Sequence, residues 1–360
     1  MKKVRIFIED ITHSWGTERA VVNLVNNLQS HGYQVSISSL YSNCGSPGFP
    51  INPGIEIEHL NVARDSKRSP ISKIFRIMNM THSIRGAIRP DDAVILGTEV
   101  NINSVLAHIK RGKGFKSRKF IACEHMPYSF PSRFAKLIRG LSYKYLDNIV
   151  VLTQADRNKY LSKGFSGLTI IPNEAPDVTT KESLNREKVL LAVGRLVEQK
   201  GFDIMIQDVA PLLKEFHDWK LEIYGEGELK TELLGLIDAC QMDGKIFICS
   251  PTQRIFDKYQ TSSVYLMTSR YEGFGMVLVE AQANGLPVVA YDCQVGPSEI
   301  IHDSQDGYLV PIGHSEAFRS RVRELILDED KRVDMGRRGR QAAQVFGREA
   351  VFQKWKELLD

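Results

Sequence analysis

Residues 264–267 form an unbroken apolar run, 272–275 read Glu-Gly-Phe-Gly, and 276–283 read Met-Val-Leu-Val-Glu-Ala-Gln-Ala. A short apolar run bounded by turn residues predicts a buried strand, and the longer apolar string after the glycines predicts a helix. Strand, glycine loop and helix in immediate succession constrain the chain to an α/β layer architecture, because such a strand is buried on both faces only within a sheet covered by helices. The first N–H groups of the helix have no intrahelical partner and carry the positive end of its dipole, so the loop can receive an anion such as a diphosphate. Glu272 in the loop and Glu280 in the helix add two carboxylates that can accept hydrogen bonds from vicinal hydroxyls of a sugar or ribose. Standing alone, a glycine loop before a helix is often only a turn.

The same grammar recurs along the chain. A strand at 4–9, the stretch Thr12–Ala20, a helix at 20–29 and a strand at 34–40 make a βαβ start. There is no G-x-G-x-x-G after the first strand and no acidic residue closing the second, which disfavours a dinucleotide-dependent dehydrogenase. Residues 41–54, rich in proline and glycine, read as a surface loop. Strands are expected at 93–96, 119–123, 148–153 and 168–171. The polar stretch 174–187 reads as an interdomain linker, followed by strands at 189–193, 220–224, 246–249, 264–267 and 288–291 and a helical tail over 315–360. Two domains follow, 1–178 and 179–360. In the second, Arg195 and Lys200 lie five apart in a strand-to-helix loop flanked by Gly194 and Gly201, where both can reach one polyanion through charge-assisted hydrogen bonds.

Composition bounds the function classes. Hydrophobic content of 42% and charged content of 25% are those of a globular chain, not a disordered one. Five cysteines, an odd number with no C-x-x-C pair, point to a reducing cytoplasm. No apolar run nears the ~18 residues of a membrane span, and Arg5, Glu9 and Asp10 interrupt any signal-peptide core. The net charge of +4 hides an asymmetry: residues 1–180 carry 24 Lys and Arg against 14 Asp and Glu, residues 181–360 carry 23 against 29. A basic first half suits an anionic partner such as a phospholipid surface or a lipid pyrophosphate, and nothing else there suggests a nucleic-acid reader. Two stretches in it are basic and amphipathic: Ile71, Ile74, Phe75 and Met78 amid Lys67, Arg68, Lys73 and Arg76, and Phe134, Leu137, Ile138 and Leu141 amid Arg133, Lys136 and Arg139. Such a helix either lies on a membrane surface or packs its apolar face on the sheet; the second is the commoner case, and the positive balance favours the first.

Taken together, Glu272-Gly-Phe-Gly-x4-Glu280-Ala, Gly285-x-Pro287-Val-Val-Ala, Gly194-Arg195-Leu-x3-Lys200-Gly201, Gly225-Glu-Gly227, Glu124-His125 and Trp15-Gly16-Thr17-Glu18-Arg19 resemble the signatures of family-4 retaining glycosyltransferases of the GT-B fold over nearly the full length. Two departures stand out: Trp15 replaces a family glycine, and Ser250-Pro251-Thr252 lacks a glycine usual near the nucleotide base. The resemblance implies two Rossmann-like domains facing each other across a cleft, with the last helix, carrying Phe352 and Trp355, crossing back to the N-terminal acceptor domain. It implies that Arg195 and Lys200 hold the donor diphosphate, that Glu272 contacts sugar hydroxyls, that Glu280 grips the ribose and that His125 lies under the transferred sugar. Gly16, Gly194, Gly273, Phe274, Gly275, Met276 and Val277 complete the donor site. No metal or cofactor is expected, since the lone D-x-D, Asp328-Glu329-Asp330, falls in a charged helical segment. The version Gly296-Pro297-Ser-Glu299-Ile-Ile is closer to that of UDP-hexose or UDP-N-acetylhexosamine users than of GDP-mannose users. The implied activity is retaining transfer from a UDP-sugar to a growing glycan, a lipid-linked bacterial surface polysaccharide, by a cytoplasmic enzyme peripheral to the inner face of the membrane. A GDP-mannose-dependent mannosyltransferase, an inactive scaffold subunit of the same fold, and an epimerase or phosphorylase are the alternatives.

Overall fold

A computed structural model describes residues 2–41, 45–63, 70–175, 186–252 and 254–360, with the side chains of 70–74 excluded. The chain forms two compact units: residues up to Glu174 together with Val351–Asp360, and Ala175–Ala350. Of the expected linker 174–187, residues 176–185 lie outside the described residues, as do Cys44, Lys67 and Arg68 and the side chains of Ile71, Lys73 and Ile74.

In the first unit, β1 (Lys3–Ile8), α1 (Gly16–Ser30), β2 (Gln34–Ser39), β3 (Glu56–His59), α2 (Pro70–Ala87), β4 (Val94–Gly97), α3 (Val100–Lys110), β5 (Lys119–Glu124), α4 (Arg133–Ser142), β6 (Asn148–Val151), α5 (Gln154–Leu161) and β7 (Leu168–Ile170) follow in order. The sheet order is β3-β2-β1-β4-β5-β6-β7, with every pairing parallel. Alternation along β1 explains the two layers: Val4, Ile6 and Ile8 enter one core with Val21, Val25 and Leu28 of α1, while Phe7 enters the other with Ile84 of α2 and Leu106 of α3. Arg5 also points to that second side, buried against Asp92 at 2.7 Å and Glu58 at 3.0 Å.

The second unit runs β8 (Val189–Val193), α6 (Phe202–Glu215), β9 (Lys220–Tyr224), α7 (Lys230–Ala239), β10 (Ile246–Cys249), α8 (Ile255–Thr261), β11 (Val264–Met267), α9 (Met276–Ala283), β12 (Val288–Asp292), α10 (Pro297–Ile300), β13 (Gly307–Pro311), α11 (Ser315–Leu327) and α12 (Glu329–Ala342). Its sheet is β10-β9-β8-β11-β12-β13, again all parallel. The last helix, α13 (Arg348–Leu359), sends Val351, Phe352, Trp355, Leu358 and Leu359 into the core of the first unit, so the expected return of the C-terminal helix is observed. His31 stacks on Phe352 at 3.5 Å, and Lys2 and Lys119 donate to the carbonyls of Leu359 and Leu358 at the helix end, where cations favour the dipole.

In each sheet the strand order reverses once, between β1 and β4 and between β8 and β11. Ligands of doubly wound sheets bind beyond the C-terminal strand ends at such a switch point. The loops after β1, β4, β8 and β11 are the ones so placed: the first leads into Gly16 at the start of α1, and the others carry Thr98 with Glu99, Gly194 with Arg195, and Glu272 with Gly275. Asp328 of the D-x-D string caps α12, accepting from the Lys331 N–H at 2.9 Å.

Candidate active site

The second unit builds its site from loops that only glycine permits. A Cβ on Gly225 would lie 1.9 Å from the Gly194 carbonyl, and one on Gly227 would lie 2.4 Å from the Leu196 carbonyl. The loops after β8 and β9 are thereby zipped, Gly194 N–H to Tyr224 O at 3.0 Å and Leu196 N–H to Glu226 O at 2.9 Å. Gly201 has φ +64°, and a Cβ there would meet the Thr268 carbonyl at 2.2 Å. The stem of Lys200 runs across the face of Gly194, within 3.3 Å of where a Cβ would be.

This framework aims Lys200 at Glu272. Lys200 Nζ donates to Glu272 Oε1 at 2.6 Å, Ser269 Oγ donates to the same oxygen at 2.7 Å, and Glu272 is only 6% exposed. Arg195 reaches Gln199 Oε1 at 3.3 Å, and Gln199 in turn holds the Tyr271 carbonyl at 3.0 Å. Arg270 grips Asp203 through two bonds of 2.9 and 2.7 Å, fastening the loop after β11 to the start of α6 and holding Asp203 below the usual carboxylate range. Two loops, after β8 and after β11, thus converge on one carboxylate and its lysine.

Gly275, at φ +99°, is the N-cap of α9, so the first-turn amides of Met276 and Val277 follow directly on the loop that carries Glu272. Gly273 and Phe274 form the turn, and Phe274 is buried edge-on against Phe346 at 5.5 Å. Gly296 presses on this turn from the loop after β12: a Cβ would come within 2.3 Å of the Phe274 carbonyl. Glu280 is 1% exposed on α9, and its Oε2 accepts from the Tyr259 hydroxyl at 3.0 Å. Of the expected residues the structure brings Lys200 onto Glu272 and lays the Lys200 stem across Gly194, and it adds Ser269, Tyr259 and the Arg270–Asp203 clasp, which the sequence did not mark. No local pattern marks those last residues; only the meeting of loops after different strands does.

In the first unit, His125 follows β5 and lines, with Thr98, Glu99 and Glu124, the floor of a cavity. Burial lowers the pKa of His125 to about 4, against a hydrogen bond with Asn173 that acts the other way, so the ring is neutral near pH 7. Glu124 beside it is structural: its carboxylate accepts from Asn103 at 2.9 Å, Tyr143 at 2.5 Å and Tyr160 at 2.8 Å, and pairs with Arg139 at 3.4 Å. At the start of α1, Trp15 is exposed and stacks on His13 at 4.2 Å, and a Cβ on Gly16 would stand in open space, so nothing within the unit requires glycine at that position. Among the described residues no helix is long and apolar enough to cross a membrane.

The comparisons agree with this architecture. The chain superposes on a Staphylococcus aureus TarM structure determined with UDP and alpha-GlcNAc-glycerol at a TM-score of 0.84, with 14% identity and 100% of both chains covered. It superposes on the pneumococcal O-GlcNAc transferase GtfA in complex with UDP and GlcNAc at 0.80, with 16% identity, 99% of this chain and 98% of that one. Two doubly wound parallel sheets of this kind define the architecture as the GT-B fold. The chain belongs to the glycosyl transferases group 1, whose family model matches residues 177–342. It is 34% identical over 375 residues to the amylovoran biosynthesis glycosyltransferase AmsD of Erwinia amylovora, with both chains covered in full.

Proposed function

We propose that this glycosyltransferase moves a hexose or N-acetylhexosamine from a UDP-sugar to a growing surface polysaccharide, with retention at the anomeric carbon and without a metal ion. The observation that carries the reading is the Lys200–Glu272 pair at 2.6 Å beside the glycine-capped start of α9. A cation and the first-turn amides of α9 suit the diphosphate of a nucleotide sugar, and Arg195, in the same loop as Lys200, supplies a second cation. The solved neighbours with UDP bound and a relative acting in amylovoran biosynthesis support the donor and the product class.

In the proposed step the bond from the anomeric carbon to the β-phosphate oxygen breaks while the acceptor oxygen bonds to the same face of that carbon. The acceptor's proton passes to the departing phosphate. Lys200, Arg195 and the α9 amides meet the charge left on the nucleoside diphosphate, Glu272 and the neutral His125 take sugar hydroxyls, and Glu280 takes the ribose. The chain is proposed to act in the cytoplasm at the inner face of the membrane, consistent with the free thiols of Cys123, Cys240, Cys249 and Cys293.

Turnover of a panel of UDP, GDP and ADP sugars, with the product anomer read by NMR, tests the reading. UDP-hexose or UDP-N-acetylhexosamine is expected to react in the presence of chelator. Arg195→Ala is expected to lower kcat by ~100- to 1000-fold, and Glu280→Ala to weaken UDP binding. Preference for GDP-mannose, an isomerised donor, donor hydrolysis absent with every sugar, or activity abolished by chelator would sink it.

A further inference from the structure

The first unit contains a cavity of about 1150 Å³ between α2, α3 and α4, larger than the ~300–1000 Å³ of ordinary small-molecule pockets. Its floor reaches Glu99 and His125, and its outer wall is apolar: Ile77 and Met78 from α2, Phe130 before α4, and Phe134 and Leu141 on α4. These side chains face solvent, with Met78 at 61%, Phe134 at 62% and Leu141 at 61% exposure. The helix α4 is turned inside out, its buried residue being Arg139. A contiguous exposed apolar patch of this kind marks a binding surface.

Charge says what kind of ligand fits. Arg76, His82, Arg85, His108 and Arg111 line the same cavity, against the carboxylates Glu99 and Glu124, and Glu124 is already engaged by Arg139 and two tyrosines. Arg85 lies over the Phe115 ring at 5.5 Å and Arg111 over the Tyr145 ring at 4.6 Å. Among the described residues neither guanidinium is paired with a carboxylate, so each is positioned by an aromatic face and keeps its N–H donors for an anion. A long apolar wall, a cationic middle and a floor at His125 match one amphiphile with a hydrocarbon chain, a phosphate and a sugar end.

We propose that this cavity binds the phosphate-linked lipid that carries the acceptor glycan, its chain along Met78, Phe134 and Leu141, its phosphate at Arg85 and Arg111, and its sugar end toward His125. The assignment rests on the transfer reading above and adds to it the chemistry of the acceptor. Isothermal titration of the full chain with farnesyl phosphate below its micellar concentration, with farnesol and inorganic phosphate as the two halves and UDP as a control, tests it. Farnesyl phosphate is expected to bind at least ~10-fold tighter than either half. The double variant Arg85→Gln, Arg111→Gln should lose most of that advantage without weakening farnesol. The double variant Phe134→Ser, Leu141→Ser, at exposed positions, should weaken both, and UDP affinity should stay unchanged in all. Equal affinity for farnesol and farnesyl phosphate would overturn the proposal. So would capture by phosphatidylglycerol vesicles that depends on Arg85 and Arg111 while farnesyl phosphate fails to bind, since the surface would then be a membrane dock. A wild-type chain that binds farnesyl phosphate but not UDP would support the cavity and overturn the donor reading instead.

Discussion

Single residues in this chain act mostly by what they allow or forbid their neighbours. Gly225 is invisible as a functional residue until the loop after β8 is seen 1.9 Å from where its Cβ would be. Gly225→Ala is therefore expected to displace Gly194 and Arg195 and weaken UDP binding at least ~10-fold, the effect of misplacing a charge-assisted contact, as read by titration. Glu18 on α1 is the opposite case, a carboxyl whose pKa burial raises to about 7, with the charges of Asp10 and Glu9 adding to the rise. The folded state holds that proton more tightly than the unfolded chain does. Its contribution is therefore intact in acid and is lost as pH rises from about 4.5 to about 7. Glu18→Gln should gain up to ~3 kcal/mol over the parent at pH 8 and little at pH 4.5 in urea unfolding. Equal gains at both pH values would refute the buried-acid account. At this scale the glycines, cations and carboxylates of the loops after β8 and β11 were legible because each motif is contiguous. Tyr259, Ser269 and the Arg270–Asp203 clasp were not, because their partners lie on other strands' loops.

At the scale of elements, apolar runs identified most strands but left helices such as α3, α5, α6 and α8 unassigned, and they did not always give the direction in which a face points. The apolar spacing of Phe134, Leu137 and Leu141 is that of an amphipathic helix, and the commoner expectation turns it toward the sheet. In the structure Arg139 goes in instead, fully buried between the Tyr128 and Tyr160 rings and bonded to Tyr160 at 2.8 Å, because Glu124 at the end of β5 offers an anion there. Arg139→Met, which strands Glu124, is expected to destabilise the first unit by ~3–5 kcal/mol. Leu137→Ser on the exposed face should stay within ~0.5 kcal/mol; denaturant melts of the two variants compare them directly. The strands β3 and β13 escaped the sequence reading for a shared reason. Both lie at sheet edges, β3 alternates Glu and His with a lone Ile, and β13 opens on Gly307 and closes on Pro311, so neither presents the continuous apolar run of a central strand.

Over the whole molecule, one topology is used twice and the chain's end is returned to its beginning. Trp355 and Phe352 of α13 complete the core of β1 and α1, so removing the indole by Trp355→Ala is expected to cost ~3–5 kcal/mol in the first unit and to leave the UDP binding proposed for the second intact. Loss of UDP binding together with the first unit's stability would contradict that independence. The sequence by itself determined the α/β class, the doubled strand–helix pattern and the glycine-bearing loops, because strand periodicity and turn residues are local properties of a chain. Only the tertiary structure decided that Lys200 rests on Glu272, that loops after β8 and β9 are locked by glycine contacts, and that α4 shows its apolar side to solvent over a basic cavity. Those outcomes depend on contacts between residues far apart in the chain, and a helix's spacing fixes which residues share a face but not what that face will meet.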